Sequence, residues 1–214
     1  MRDYAGIRSE YLKAELDIRS VLPNPVDQFE IWFEEVLNAG VQEPNAMTLA
    51  SVSNHGKPSL RIVLLKGIEE KKFIFYTNYN SKKGRELENN SACAVNFFWP
   101  ALERQVRIEG NAEPVRHMVS DEYYNSRPRN AQIGAWASPQ SESIADRARL
   151  ENLVKDVEDK FKDVERLPRP PHWGGYALDP LRIEFWQGRT SRLHNRIVYT
   201  KEPNGSWSID RLAP

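Results

Sequence analysis

The chain has 214 residues, 40% of them hydrophobic, with 30 Lys+Arg balanced by 30 Asp+Glu. That length supports one domain with its own core, and the balanced charge argues against a dedicated nucleic-acid binder, which is usually basic overall. No run approaches the roughly 18 apolar residues that span a bilayer, so neither a nucleic-acid nor a membrane partner is expected.

The start, Met1-Arg2-Asp3-Tyr4-Ala5-Gly6, lacks the apolar stretch of a signal peptide. Cys93, the single cysteine, lies in the apolar run Ala92-Cys93-Ala94-Val95. It has no intrachain disulfide partner and reads as a small buried hydrophobe in a reducing compartment, so a cytoplasmic location is expected.

Residues 1–22 are charged and weakly periodic, the expectation being a short helix or a mobile arm or lid ahead of a single domain over 23–214. Asn24-Pro25 starts a helix, with Asn as N-cap, Pro at its first position and Asp27 in the first turn. Val26, Phe29, Phe33, Val36 and Leu37 carry its apolar face, and Gly40 ends it. Strands are predicted at 46–52 and 58–65 around an Asn54-His55-Gly56-Lys57 turn, then at 72–77, 92–99 and 104–114. Ser81 caps a short helix before the fourth strand. Helical patterns over 119–136 and 143–162 precede a Pro-rich loop, and strands follow near 174–187, 194–200 and 206–210. Five strands, a helical insert and further strands fit a mainly-β α+β fold, an antiparallel barrel with helices outside it, and not a doubly wound sheet. Neither Gly-x-Gly-x-x-Gly nor Gly-Lys-Ser/Thr occurs, which disfavours a Rossmann or P-loop site; no metal site is expected.

Several constellations suit anions. If the segment from Arg192 is extended, Arg192, His194 and Arg196 share one face while Leu193 and Ile197 point into apolar packing. Trp186, just upstream, offers a ring wall; the alternative is an edge strand carrying charge against aggregation. Arg61-Ile62-Val63-Leu64-Leu65-Lys66 has a cation at each end, on opposite faces unless a bulge or strand end intervenes. After Tyr76-Thr77, the Ser81-Lys82-Lys83 helix start is expected to bring free N–H groups and two lysines to one spot. Gln105, on the strand face opposite Arg104, carries an amide suited to a heterocycle edge. Tyr123 and Arg127 share a helical face and can jointly hold a phosphate, Pro128 breaks that helix, and Gln140-Ser141 can reach a second phosphate.

Together the segments RIVLLK, FYTN, SKKGRELENN, LERQV, SRPRNAQIGAW, IEFWQG, RLHNR and IDRLAP, from about residue 8 to the end, resemble the pyridoxine (pyridoxamine) 5′-phosphate oxidase family. The resemblance implies a split β-barrel homodimer with FMN at the subunit interface. It implies oxidation of pyridoxine 5′-phosphate and pyridoxamine 5′-phosphate to pyridoxal 5′-phosphate, by hydride transfer from C4′ to the flavin N5 and reoxidation by O2 to H2O2. Arg61, Ile62, Val63, Leu64, Leu65, Lys66, Tyr76, Thr77, Lys82, Lys83, Gln105, Gln140, Ser141, Trp186 and Arg196 would contact FMN. Lys66, Tyr123, Arg127, Ala131, Arg192, Leu193 and His194 would face the substrate, under a lid of Arg8, Ser9, Glu10 and Tyr11. Arg192 and His194 are the expected catalytic pair.

Three positions depart from the family pattern: Lys82 stands for an Arg, Ala131 for a Ser that would hold the substrate phosphate, and Asn195 for an Asp. The competing expectations are a split-barrel flavin reductase with a nicotinamide donor and a non-catalytic pyridoxal phosphate carrier.

Overall fold

The structure, a computed structural model, describes Tyr11 and residues 13–214. Asn24 caps the first helix, α1 (Pro25–Asn38), its side chain accepting the Val26 N–H. Strands β1 (Ala46–Val52) and β2 (Pro58–Leu64) follow around a turn in which Gly56 takes φ +72. A short β3 (Gly67–Glu69), which the sequence pattern did not reveal, precedes β4 (Lys72–Asn78). Then come α2 (Lys82–Asn89), β5 (Ala92–Trp99) and β6 (Arg104–Pro114). The helical insert is α3 (His117–Ser126), α4 (Arg129–Ala137) and α5 (Arg147–Lys160), the first two parted at Pro128, which removes a backbone donor and holds its predecessor extended. Strands β7 (Trp173–Gln187), β8 (Asn195–Lys201) and β9 (Trp207–Arg211) close the chain.

The strands form one sheet in the order β2-β1-β5-β6-β7-β4-β3, with β8 added to β7 and β9 to β8. β7 is long enough to pair with three strands: besides β6, Trp173–Leu178 run antiparallel to β4 and Arg182–Gln187 run antiparallel to β8. This is the mainly-β, split-barrel class with flanking helices expected from the sequence. Among the described residues no helix is long and apolar enough to cross a membrane.

The chain divides into two compact units: one takes the chain up to Leu49, Ala94–Gly110 and Pro180–Pro214, and the other takes Ala50–Cys93 and Asn111–Asp179. The first unit packs α1 on the strands through Phe29 against Phe97 and Trp32 against Phe185, each ring pair 5.1 Å apart. Trp32, not Leu37, completes the buried helix face; Leu37 is exposed. In the second unit Tyr124, Ile133, Ala135, Phe161, Leu167 and Trp173 form a cluster beneath the helical insert.

Candidate functional site

In the second unit a cavity of about 570 Å³ gathers Arg61, Ile62, Val63, Leu64, Lys66, Tyr76, Thr77, Lys83, Tyr123, Arg127 and Gln140, joined by Pro128 and Trp173. β2 stops at Leu64, and the Lys66 N–H donates to Ile74 O. The strand end therefore lets Arg61 and Lys66, which alternation alone would part, line one cavity. Leu65 is buried beneath it and is not a wall residue.

The α2 start supplies an ammonium. Ser81 Oγ accepts the Gly84 N–H, and Gly84 is required because a Cβ there would lie 2.1 Å from Tyr79 O. Lys83 Nζ is buried and donates to Gln140 Oε1 at 2.8 Å, Thr77 Oγ1 at 3.1 Å and Ser81 Oγ at 3.3 Å. Burial, helped by the charge of Arg61, pulls the Lys83 pKa down to about 8. The expected convergence of two lysines is corrected: Lys82 points outward, 3.8 Å from Glu86 Oε1, and does not line the cavity. Consecutive helical residues diverge by about 100°, so one lysine turned inward sends the other out.

The aromatic wall is built by β4 and β7. Gly175 lies opposite Tyr76 in the ladder, and a Cβ on it would meet the Tyr76 ring at 2.8 Å. Tyr76 stacks on Tyr123 at 3.9 Å and on Trp173 at 5.4 Å between ring centroids. Burial first, then the neighbouring Tyr123, raises the Tyr76 pKa to about 12, so the Tyr76 ring presents a neutral phenol. Arg127 is not on the helix with Tyr123 as the spacing predicts; it is the extended C-cap of α3, ahead of Pro128. Its guanidinium lies 4.6 Å over Trp173, and its Nη1 is buried without a hydrogen-bond partner. Ala131 shares an adjoining hollow of about 220 Å³ with Arg127 and Gln140, whereas Ser141, at φ +73, lines neither.

The first unit carries the remaining candidates. Ser191 and Arg192 occupy left-handed backbone conformations, φ 54 and 60, in a 3₁₀ turn over Thr190–Arg192, and β8 starts only at Asn195. The expected extended face of Arg192, His194 and Arg196 is therefore corrected, and Leu193 is 67% exposed where apolar packing was expected. Ile197 is buried as expected.

His194 is nonetheless placed beside Trp186, 4.6 Å between ring centroids, with Tyr11 5.8 Å from the imidazole and 5.7 Å from the indole. The Arg189 N–H donates to His194 Nδ1. Burial and then the Arg192 charge lower the His194 pKa below its ordinary value, which favours a neutral ring with its proton on Nε2. Arg196 forks onto Glu184 at 2.9 and 3.1 Å, with Arg107 on the same carboxylate. Burial pushes the Glu184 carboxyl up, but the bonds from Arg196 and Arg107 outweigh it and hold it low. Gln105 is half-buried on β6. Arg8, Ser9 and Glu10 lie outside the described residues.

Sequence reasoning missed Trp173, Glu86 and Glu184. A buried carboxylate behind an arginine has no signature in one sequence, because partner and arginine come from different elements.

The cavity suits an anionic ligand with a flat part: a buried ammonium, an orphaned guanidinium nitrogen, hydroxyl and amide groups, and stacked rings. Residues 33–161 match the family model described as pyridoxamine 5′-phosphate oxidase, and residues 173–214 match the pyridoxine 5′-phosphate oxidase C-terminal dimerisation region. A pyridoxine/pyridoxamine 5′-phosphate oxidase 1 of Ralstonia nicotianae is 54% identical over 100% of both chains. A pyridoxine/pyridoxamine 5′-phosphate oxidase of Cytophaga hutchinsonii is 52% identical over 98% of each. Among solved structures, PhzG from Burkholderia lata 383, in complex with tetrahydrophenazine-1-carboxylic acid, superposes with a TM-score of 0.86 at 30% identity, over 92% of this chain and 95% of that one.

Proposed function

The chain belongs to the pyridoxamine 5′-phosphate oxidase family, and on that footing we propose that it is an FMN-dependent oxidase making pyridoxal 5′-phosphate from pyridoxine 5′-phosphate and pyridoxamine 5′-phosphate. The observation that carries this reading is the cationic cavity, where Lys83 and Arg127 each bring a buried nitrogen suited to a phosphate. Cofactor and substrate each carry a phosphate, so two cationic positions on one aromatic-walled cavity match the pair.

When bound, FMN would supply the redox chemistry, taking hydride from the substrate C4′ carbon and passing the electrons to O2 to give H2O2. Lys83, Arg61, Thr77 and Gln140 would hold the cofactor phosphate; Arg127 and Tyr123 would hold that of the substrate, with Lys66 near both. Trp186, Gln105 and Arg196 would contact the flavin, and Glu184 fixes the Arg196 fork. Arg192 and His194 would hold the substrate. With Nδ1 accepting the Arg189 N–H, neutral His194 offers an Nε2 proton as donor, so it serves better to orient the C4′ substituent than to deprotonate it. Ala131 brings no hydroxyl to the hollow it shares with Arg127, so the substrate phosphate would depend more heavily on that guanidinium.

We further infer a homodimer with FMN at its interface, in a cytoplasmic enzyme of vitamin B6 synthesis and salvage. Two observations support the dimer: the match to a dimerisation region and the apolar outer face of β2, where Leu60 and Ile62 are 69% and 64% exposed. The test of the substrate assignment is Arg127→Ala. A lost charge-assisted hydrogen bond of about 1.5–3 kcal/mol raises KM for pyridoxine 5′-phosphate roughly ten- to a hundredfold, with FMN affinity held. An unchanged KM would remove Arg127 from the substrate phosphate.

A further inference from the structure

β2 is patterned inside out. Period two turns Leu60 and Ile62 outward and Ser59 and Arg61 inward, the polar pair being the more buried. What they meet is a carboxylate. Glu86, 5% exposed on α2, accepts through Oε2 from Ser51 Oγ and Ser59 Oγ, both at 2.6 Å, and from Arg61 Nη2 at 3.2 Å. Arg61 Nη1 also donates to Ser51 Oγ, and Nη2 to Ser59 Oγ. Three elements thus grip one guanidinium: β1 through Ser51, β2 through Ser59, and α2 through Glu86. Glu86 lies three residues after Lys83, so one helix delivers both the cavity's ammonium and the clamp on its arginine.

A negative charge beside an anion site should weaken anion binding by simple Coulomb repulsion. Its placement makes physical sense if its gain is orientation, because Arg is otherwise free to sample many rotamers and its planar fork recognises phosphate by geometry. We propose that Glu86 is a positioning residue that fixes the Arg61 guanidinium for the phosphate of the cofactor. The inference rests on the FMN reading above and deepens it. Among the described residues the other Glu86 oxygen makes no hydrogen bond, and Lys82 Nζ lies 3.8 Å from it. Its main engagement is therefore the Ser51–Ser59–Arg61 cluster.

Repulsion and positioning predict opposite signs, which makes the test decisive. Flavin-free protein is titrated with FMN and with riboflavin, which lacks the phosphate, and quenching of flavin fluorescence reads the affinity. Glu86→Gln removes the charge at nearly constant shape and leaves one acceptor where a fully charged one stood. The expected result is FMN binding about tenfold weaker, riboflavin binding within about twofold, and no added loss when Glu86→Gln is placed on Arg61→Ala. Tighter FMN binding would show that only charge matters. Equal losses for FMN and riboflavin, or losses that add fully in the double variant, would show a merely structural role; any of these overturns the proposal. Ser59→Ala keeps the carboxylate buried, gives a smaller loss of the same kind, and replaces Glu86→Gln if that variant does not fold. Wild-type protein that prefers FMN no more than riboflavin would overturn the phosphate reading itself, before any variant is compared.

Discussion

On the proposed reading, Lys83 would tie cofactor binding to pH. Its ammonium is buried, and burial first, then the Arg61 charge, lowers its pKa from 10.5 to about 8. Without an anion the folded chain gives up this proton more readily than the unfolded one. The buried charge therefore opposes folding fully below about pH 8, and the opposition fades as pH rises from there towards 10.5. A bound phosphate reverses the balance by favouring the ammonium. FMN binding is then expected to take up protons at pH 8.5, where the phosphate is already a dianion, and to weaken as pH climbs further. Calorimetry in two buffers of different ionisation enthalpy measures this directly. Riboflavin should show no uptake, and an FMN enthalpy independent of buffer would remove Lys83 from the phosphate.

The elements carry the difference between what pattern shows and what packing decides. Ala46–Val52, Arg104–Pro114 and the Asn24-capped helix were legible because alternation, capping and Gly punctuation are local signals. β3 was not, since three residues carry no period. The segment after Trp186 misled for a physical reason. Alternating Arg192, His194 and Arg196 reads as a strand, yet Ser191 and Arg192 hold left-handed backbone that costs about 1–3 kcal/mol each and is stored where structure over-determines it. The candidate site was legible as a set of cations and aromatics; the buried carboxylates behind Arg61 and Arg196 were not, because each pairing joins side chains on two different elements. The strained turn ends at Arg192 and leaves its side chain exposed, which suits a group that waits for substrate. Arg192→Ala is expected to cut kcat by at least about tenfold, as loss of a charged contact does, while FMN stays bound. Near-normal turnover, or FMN lost in step with activity, would contradict a substrate-facing role.

At the scale of the molecule, the candidate residues divide between the two units. One carries the phosphate-suited cavity of Arg61, Lys83 and Arg127; the other carries Trp186, Arg192, His194 and Arg196. Full-length relatives at 52% and 54% identity carry the oxidase name, and the sequence departures at Lys82, Ala131 and Asn195 spare Lys83, Arg127 and His194. The most direct measurement is oxygen uptake by FMN-loaded protein on adding pyridoxine 5′-phosphate, with pyridoxal 5′-phosphate followed in parallel. An oxidase gives one aldehyde for each O2 consumed, and no such turnover with unphosphorylated pyridoxine. Bound flavin that stays oxidised with both phosphorylated substrates, yet is bleached by NADH, would contradict the oxidase and favour a reductase on the same fold.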